Sequence, residues 1–174
     1  MQPDKSMTYK VISIVGRSGS GKTTLIEKLL AEFNSRGVSV GVLKHDAHSF
    51  EIDHEGKDSW RLKRAGAATV ALSSADKLAV IKDVKAEWPP ERIISTYLAD
   101  LDLVITEGYK GSSYPKIEVL RGAVSSELVC SDDPALIAVA SDIKPDTDAL
   151  LYALDDFRGL ADLITERVLR TGAR

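Results

Sequence analysis

The sequence predicts an α/β fold, a mostly parallel, doubly wound sheet with an added β-hairpin. Three observations carry the prediction. Short apolar runs such as 9–15 (YKVISIV) and 101–106 (LDLVIT) show little polar alternation, as strands buried on both faces do. Those runs alternate with stretches of helical spacing, the pattern of a parallel sheet covered on two sides. One stretch, 68–83, instead alternates with a period of two and turns back on itself, as a hairpin does.

In chain order, the 9–15 run ends at Gly16. Leu25, Ile26, Leu29, Leu30 and Phe33 then recur on one helical face, and Gly37 follows as a stop just past the helix end. Residues 38–43 form a second strand. Residues 44–58 turn polar and hold all three histidines. A short helix is expected over 58–65, ending near Gly66. In the hairpin, Ala68, Val70 and Leu72 alternate with Thr69, Ala71 and Ser73, and 74–77 connect them to an apolar return strand over 78–81. Pro89 and Pro90 open a helix over 91–98. Residues 101–106, 116–120 and 136–140 are further strands. Asp155 is placed to cap a last helix, whose Phe157, Leu160, Leu163, Ile164 and Val168 make one apolar stripe. No internal repeat or long linker divides the chain, so residues 8–170 are expected to form a single domain with 68–83 as an extension.

The 174 residues suit one core built around one sheet, and 44% hydrophobic with 28% charged residues excludes a disordered chain. A net charge of −3 argues against binding nucleic acid by bulk charge. Every apolar run falls far short of the ~18 residues a membrane helix needs. Residues 1–10 lack the apolar stretch of a secretory signal. The single cysteine, Cys130, excludes an intrachain disulfide and fits a reducing cytoplasm.

The sharpest local signal is Gly16-Arg17-Ser18-Gly19-Ser20-Gly21-Lys22-Thr23, a complete G-x-x-x-x-G-K-[ST] match. Gly19 and Gly21 let successive backbone N–H groups converge on one anion. The helix that begins near Lys22, with Thr23 and Thr24 in its first turn, adds unpaired N–H groups and the positive end of its dipole. Lys22 supplies a charge between the β- and γ-phosphates, and the Thr23 hydroxyl suits Mg²⁺. A chance Gly/Ser turn would fit the pattern too, but the apolar strand before it and the amphipathic helix after it favour a phosphate loop. The fold class is therefore that of the P-loop NTPases. For Arg17 two readings stand: a solvated loop residue, or a charge reaching a phosphate, across a dimer for instance.

Magnesium in such sites takes a second acid from the C-terminal end of a neighbouring strand. Residues 101–108 (LDLVITEG) offer Asp102 and Glu107. At about 3.3 Å per residue, Asp102 lies ~17 Å from the far end, so Glu107 is the better candidate, acting through water, the alternative being a plain surface glutamate at a strand end. The polar loop admits three readings. His45, His48 and His54 could hold zinc or nickel, although their spacing is irregular. The loop could act as a switch sensing Mg²⁺ and γ-phosphate, with His45, Asp46, His48, Asp53 and Asp58 as candidate switch or water contacts. It could also be merely solvated. Lys57, Arg61 and Arg64 stand at i, i+4 and i+7 and share one helix face, either solvated or available to a phosphate or partner. The guanine signature N-K-x-D is absent. Ser141 and Asp142 end an apolar strand, where a carboxylate could accept from guanine N1–H and N2–H together, or Asp142 could cap the next turn. The only glutamine is Gln2, near the start of the chain, so slow hydrolysis is expected unless an aspartate or a partner orients the attacking water.

With these residues in hand, the sequence resembles the molybdopterin-guanine dinucleotide biosynthesis protein B (MobB) family. The resemblance is carried by GRSGSGKTTLIEKLL, KHDAHSFEIDHEGKDSWRLKRAGA, DLVITEGYK and PKIEVLR. The first stretch is common to many P-loop proteins; the second and third together are far more specific. The resemblance implies a GTP-binding fold of the class that contains metallochaperone GTPases, and a homodimer in the cytoplasm. It implies an accessory role beside the guanylyltransferase that joins GMP to molybdopterin, with weak GTPase activity. By motif, Gly16 to Thr24 would hold the phosphates and Glu107 would stand beside Mg²⁺. The loop 44–58 would face the nucleotide or the pterin, with Lys57, Arg61, Arg64 and Lys110 as candidate pterin or partner contacts. The hairpin's Val70, Leu72, Leu78, Val80 and Ile81 are more apolar surface than a free ribbon keeps in water, so the chain's own sheet or a second copy should cover them, and the implied dimer favours the second copy. Two other classes compete, a small-molecule kinase and a metal-delivering GTPase. Residues 123–140 contain no Arg or Lys, which counts against a kinase lid.

Overall fold

The computed structural model describes residues 9–46 and 52–170. They form two compact units, one from the residues up to His45 together with those from Pro90 onward, the other Asp46–Pro89.

The first unit is a six-stranded sheet. Its strands are β1 (Val11–Val15), β2 (Val40–Lys44), β5 (Leu103–Glu107), β6 (Lys116–Leu120), β7 (Leu136–Ser141) and β8 (Leu150–Ala153). They lie in the order β2-β5-β1-β6-β7-β8, and every pairing is parallel. The chain leaves β1 for one side of the sheet and returns on the other, so the C-terminal end of β1 is a topological switch point. Open α/β sheets bind ligands there.

The helices are α1 (Lys22–Ser35), α3 (Pro90–Tyr97) and α4 (Phe157–Ile164). Leu25, Ile26, Leu29 and Phe33 of α1 and Leu160, Leu163 and Ile164 of α4 pack with Ile12, Ile14, Ile105 and Ile117 on one face. On the other face Ile94 of α3 closes over Val11 and Val104. The sheet is therefore doubly wound, as its two-sided apolar strands predict. Among the described residues no helix is long and apolar enough to cross a membrane.

The differences from expectation are local. β8 was not predicted: it has four residues, sits at the sheet edge, and leaves Leu150 and Leu151 nearly half exposed, so it carries no periodic signal. Asp156 rather than Asp155 caps α4, its Oδ1 accepting the Gly159 N–H at 3.0 Å. Beyond α4 the backbone widens into a π-helical turn, Thr165–Leu169, which keeps Val168 buried. Asp102 precedes its strand and accepts from both the N–H and the hydroxyl of Ser39, which holds its carboxyl below the usual carboxylate range.

The second unit contains α2 (Asp58–Arg64) and the antiparallel pair β3 (Thr69–Ser73) and β4 (Leu78–Lys82). The 74–77 connection closes through Ser74, whose N–H donates to the Lys77 carbonyl and whose hydroxyl accepts the Lys77 N–H. Lys63 ties α2 to the hairpin by donating to the Ala67 carbonyl and pairing with Asp83. Register divides the hairpin's apolar side chains. Val70 faces Ile81 and Leu72 faces Ala79, whereas Val80 and Leu78 belong to the opposite face. Val70 is 6% exposed and Leu78 71%.

Candidate functional site

The turn from β1 to α1 is built on three glycines at positive φ, Gly16 (139°), Gly19 (75°) and Gly21 (101°). At Gly16 a Cβ would stand 2.5 Å from the Val119 carbonyl oxygen, so the turn can lie against β6 only without a side chain. Arg17 and Ser18 are exposed at its tip, and Arg17 meets Glu127 at 3.7 Å. Ser20 is 1% exposed, and its hydroxyl finds no partner among the described residues. Among the described residues no side chain caps α1. The loop thus presents the free N-terminal donors of a 14-residue helix at the switch point.

Lys22 folds back over the loop and donates to the Arg17 carbonyl at 2.9 Å. Burial lowers its pKa; Glu107 opposes that shift, and Lys110 and Lys44 add to it. Lys22 therefore feels two further ammonium groups as well as one carboxylate. A polyphosphate would relieve that repulsion.

Glu107 ends β5 directly beside Lys44, its register partner at the end of β2. Its Oε2 accepts from the Thr23 hydroxyl at 3.1 Å and its Oε1 lies 3.9 Å from Lys44 Nζ. The pair is separated by 84 positions in sequence. A hydroxyl and a carboxylate oxygen at contact distance are the hard oxygen donors that suit Mg²⁺. Next to it, Gly108 and Tyr109 both adopt positive φ, 93° and 54°, and the Tyr109 ring packs against His45 with centroids 5.0 Å apart. Lys110 follows, exposed.

The other expected residues have contacts of their own. Asp142 Oδ1 accepts the Gly122 N–H at 2.7 Å, and the Ser141 hydroxyl accepts the Ile143 N–H at 3.1 Å. Both bonds shape the turns after their strands. Asp46, Asp53, His54, Lys57, Asp58, Arg61 and Arg64 belong to the second unit. There Asp53 Oδ1 accepts from His54 N–H and the Ser59 hydroxyl, Arg61 lies 3.7 Å from Asp58, and Arg64 stacks on Trp60 at 5.1 Å. His48 lies outside the described residues, as does Gln2.

The structure adds residues that motif reasoning passed over. Lys44 reaches Glu107. Arg121 donates from Nε to the Ser20 carbonyl at 3.3 Å. The signal for both was their place: each stands at or just past the C-terminal end of a strand near β1.

Residues 11–142 match the family described as "Molybdopterin guanine dinucleotide synthesis protein B". The chain is 37% identical over 160 residues to a molybdopterin-guanine dinucleotide biosynthesis adapter protein of Haemophilus influenzae, covering 88% of this chain and 86% of that one. It is 36% identical over 165 residues to the adapter protein of the same name from Escherichia coli, covering 90% and 91%. A crystal structure titled molybdopterin-guanine biosynthesis protein B superposes with a TM-score of 0.74 at 33% identity, covering 91% of this chain and 98% of that one.

Proposed function

The chain belongs to the molybdopterin guanine dinucleotide synthesis protein B family, and from that premise we propose that it is a GTP-binding adapter in the making of molybdopterin guanine dinucleotide. The observation that carries the nucleotide part is the meeting of Thr23 and Glu107 beside a phosphate loop with free helix-terminal donors. The loop's N–H groups and Lys22 bind the triphosphate. Thr23 and Glu107 would hold Mg²⁺, which when bound would offset phosphate charge. Lys44 and Lys110 offset the remaining phosphate charge. No glutamine stands among the described residues to orient water, so hydrolysis is slow unless an aspartate or a partner takes that role. Glu118 ties down the segment after β6 by accepting from Val129 and Cys130 N–H, and residues 123–140 carry no Arg or Lys. That favours the adapter over a small-molecule kinase.

The partner is the guanylyltransferase that joins GMP to molybdopterin, and the setting is the cytoplasm. A pull-down from native lysate should recover that transferase, with recovery changing when a GTP analogue is added. Its absence under both conditions would contradict the adapter role.

Glu107→Gln should weaken Mg²⁺-dependent turnover more than GTP binding, because the lost charge acts through the metal. Turnover and a Mg²⁺ titration measured side by side check this; wild-type behaviour in both would move the acid elsewhere.

The protein works as a homodimer through the outer face of the hairpin, where Leu78 is 71% and Val80 38% exposed. Leu78→Lys with Val80→Lys should sediment as a folded monomer while wild type sediments as a dimer. A wild-type monomer at micromolar concentration would refute the dimer.

A further inference from the structure

Beside the phosphate loop lies a cavity of about 250 Å³. Its lining includes Thr24 and Lys28 of α1, Val119 of β6, Arg121, and Leu154 with Asp155 just past β8. Thr24 directly follows Thr23, so the cavity begins where the phosphates of a nucleotide on the loop end. A group tethered to the innermost phosphate can therefore reach it. Ser20 also lines it, 1% exposed and with an unpartnered hydroxyl among the described residues.

The lining suits a flat, partly polar ring system. Leu154, Val119 and the Lys28 stem are apolar. The Arg121 guanidinium is held by its bond to the Ser20 carbonyl and offers a planar cation to a π-face. The rim carries one carboxylate, Asp155. It is exposed and makes no hydrogen bond or ion pair among the described residues. The neighbouring Asp156 already caps α4, so the helix does not need Asp155. Asp142, the other aspartate after a strand in this region, is engaged with Gly122 and does not line the cavity.

A carboxylate only accepts hydrogen bonds. Guanine presents N1–H and N2–H side by side and can donate both to it. Adenine presents N6–H next to the bare N1 lone pair, which a carboxylate oxygen would repel. We infer that the cavity takes the guanine base of the bound nucleotide, with Asp155 accepting from N1–H and N2–H and Arg121 flanking the ring. The inference rests on the phosphate-loop reading.

The test is Asp155→Asn, titrated beside wild type with GTP, ATP and xanthosine triphosphate in Mg²⁺, and with inorganic tripolyphosphate as a probe of the loop alone. In xanthine a C2 carbonyl replaces the C2 amine, and an asparagine can accept from N1–H while donating to that carbonyl. The variant should lose GTP affinity at least tenfold, bind the xanthine nucleotide more tightly than GTP, and keep wild-type affinity for ATP and tripolyphosphate. Unchanged GTP preference in the variant, or an equal loss for all four ligands, would overturn the assignment of Asp155. Failure of wild type to bind even tripolyphosphate would remove the phosphate-loop reading and this inference with it.

Discussion

Glu118→Ala should lower the stability of the folded chain by about 3–5 kcal/mol, a larger effect than any other substitution considered. Glu118 is 1% exposed in the middle of β6, and its two carboxylate oxygens accept Val129 N–H at 2.7 Å and Cys130 N–H at 2.9 Å. Truncation leaves two backbone donors without this partner, one buried and one part-buried, each worth about 1–3 kcal/mol. It also opens a void in the sheet. Glu118→Gln keeps one acceptor but turns an amide N–H₂ toward a donor, so it should fall between wild type and alanine. Urea denaturation of the three proteins checks the order. A midpoint for Glu118→Ala equal to wild type would show that the 123–133 segment does not depend on this contact.

Lys22→Ala should cost about 2–3 kcal/mol of triphosphate affinity, roughly a 30- to 150-fold rise in Kd for GTP. The Lys22 ammonium packs against no apolar core and makes one hydrogen bond, to the Arg17 carbonyl. The fold should therefore be intact and the thermal midpoint close to wild type. That combination separates a lost ligand contact from lost structure. Unchanged GTP affinity by calorimetry in a folded variant would sink the phosphate-loop assignment.

How much of this was legible beforehand depends on how local each cause is. The phosphate loop and α1 were readable because eight contiguous residues encode the turn, and Leu25, Ile26, Leu29 and Phe33 encode the buried face. Glu107 was found from strand direction alone, since a parallel sheet puts all its C-terminal ends on one edge. Its contact with Thr23, across 84 positions, required no more than that. The buried charges of β6 were not readable. Lys116 and Glu118 sit in a strand with 0% and 1% exposure because their partners come from distant turns: Asp133 for the lysine at 2.9 Å, and Val129 and Cys130 for the glutamate. The adjacent aspartates 155 and 156 are chemically equivalent as sequence. Only the start of α4 decides that the second one caps and the first stands at the cavity. The hairpin was visible from its alternation, but not which side chains share a face. Register pairs Val70 with Ile81, so Val70 and Val80 point to opposite sides.

The most direct test of the account is a calorimetric titration of the wild-type chain with GTP, run once in Mg²⁺ and once in EDTA. The geometry of the loop, Thr23 and Glu107 predicts one nucleotide bound per chain, with affinity falling when the metal is removed. No binding in either buffer, or binding of equal strength in both, would contradict it.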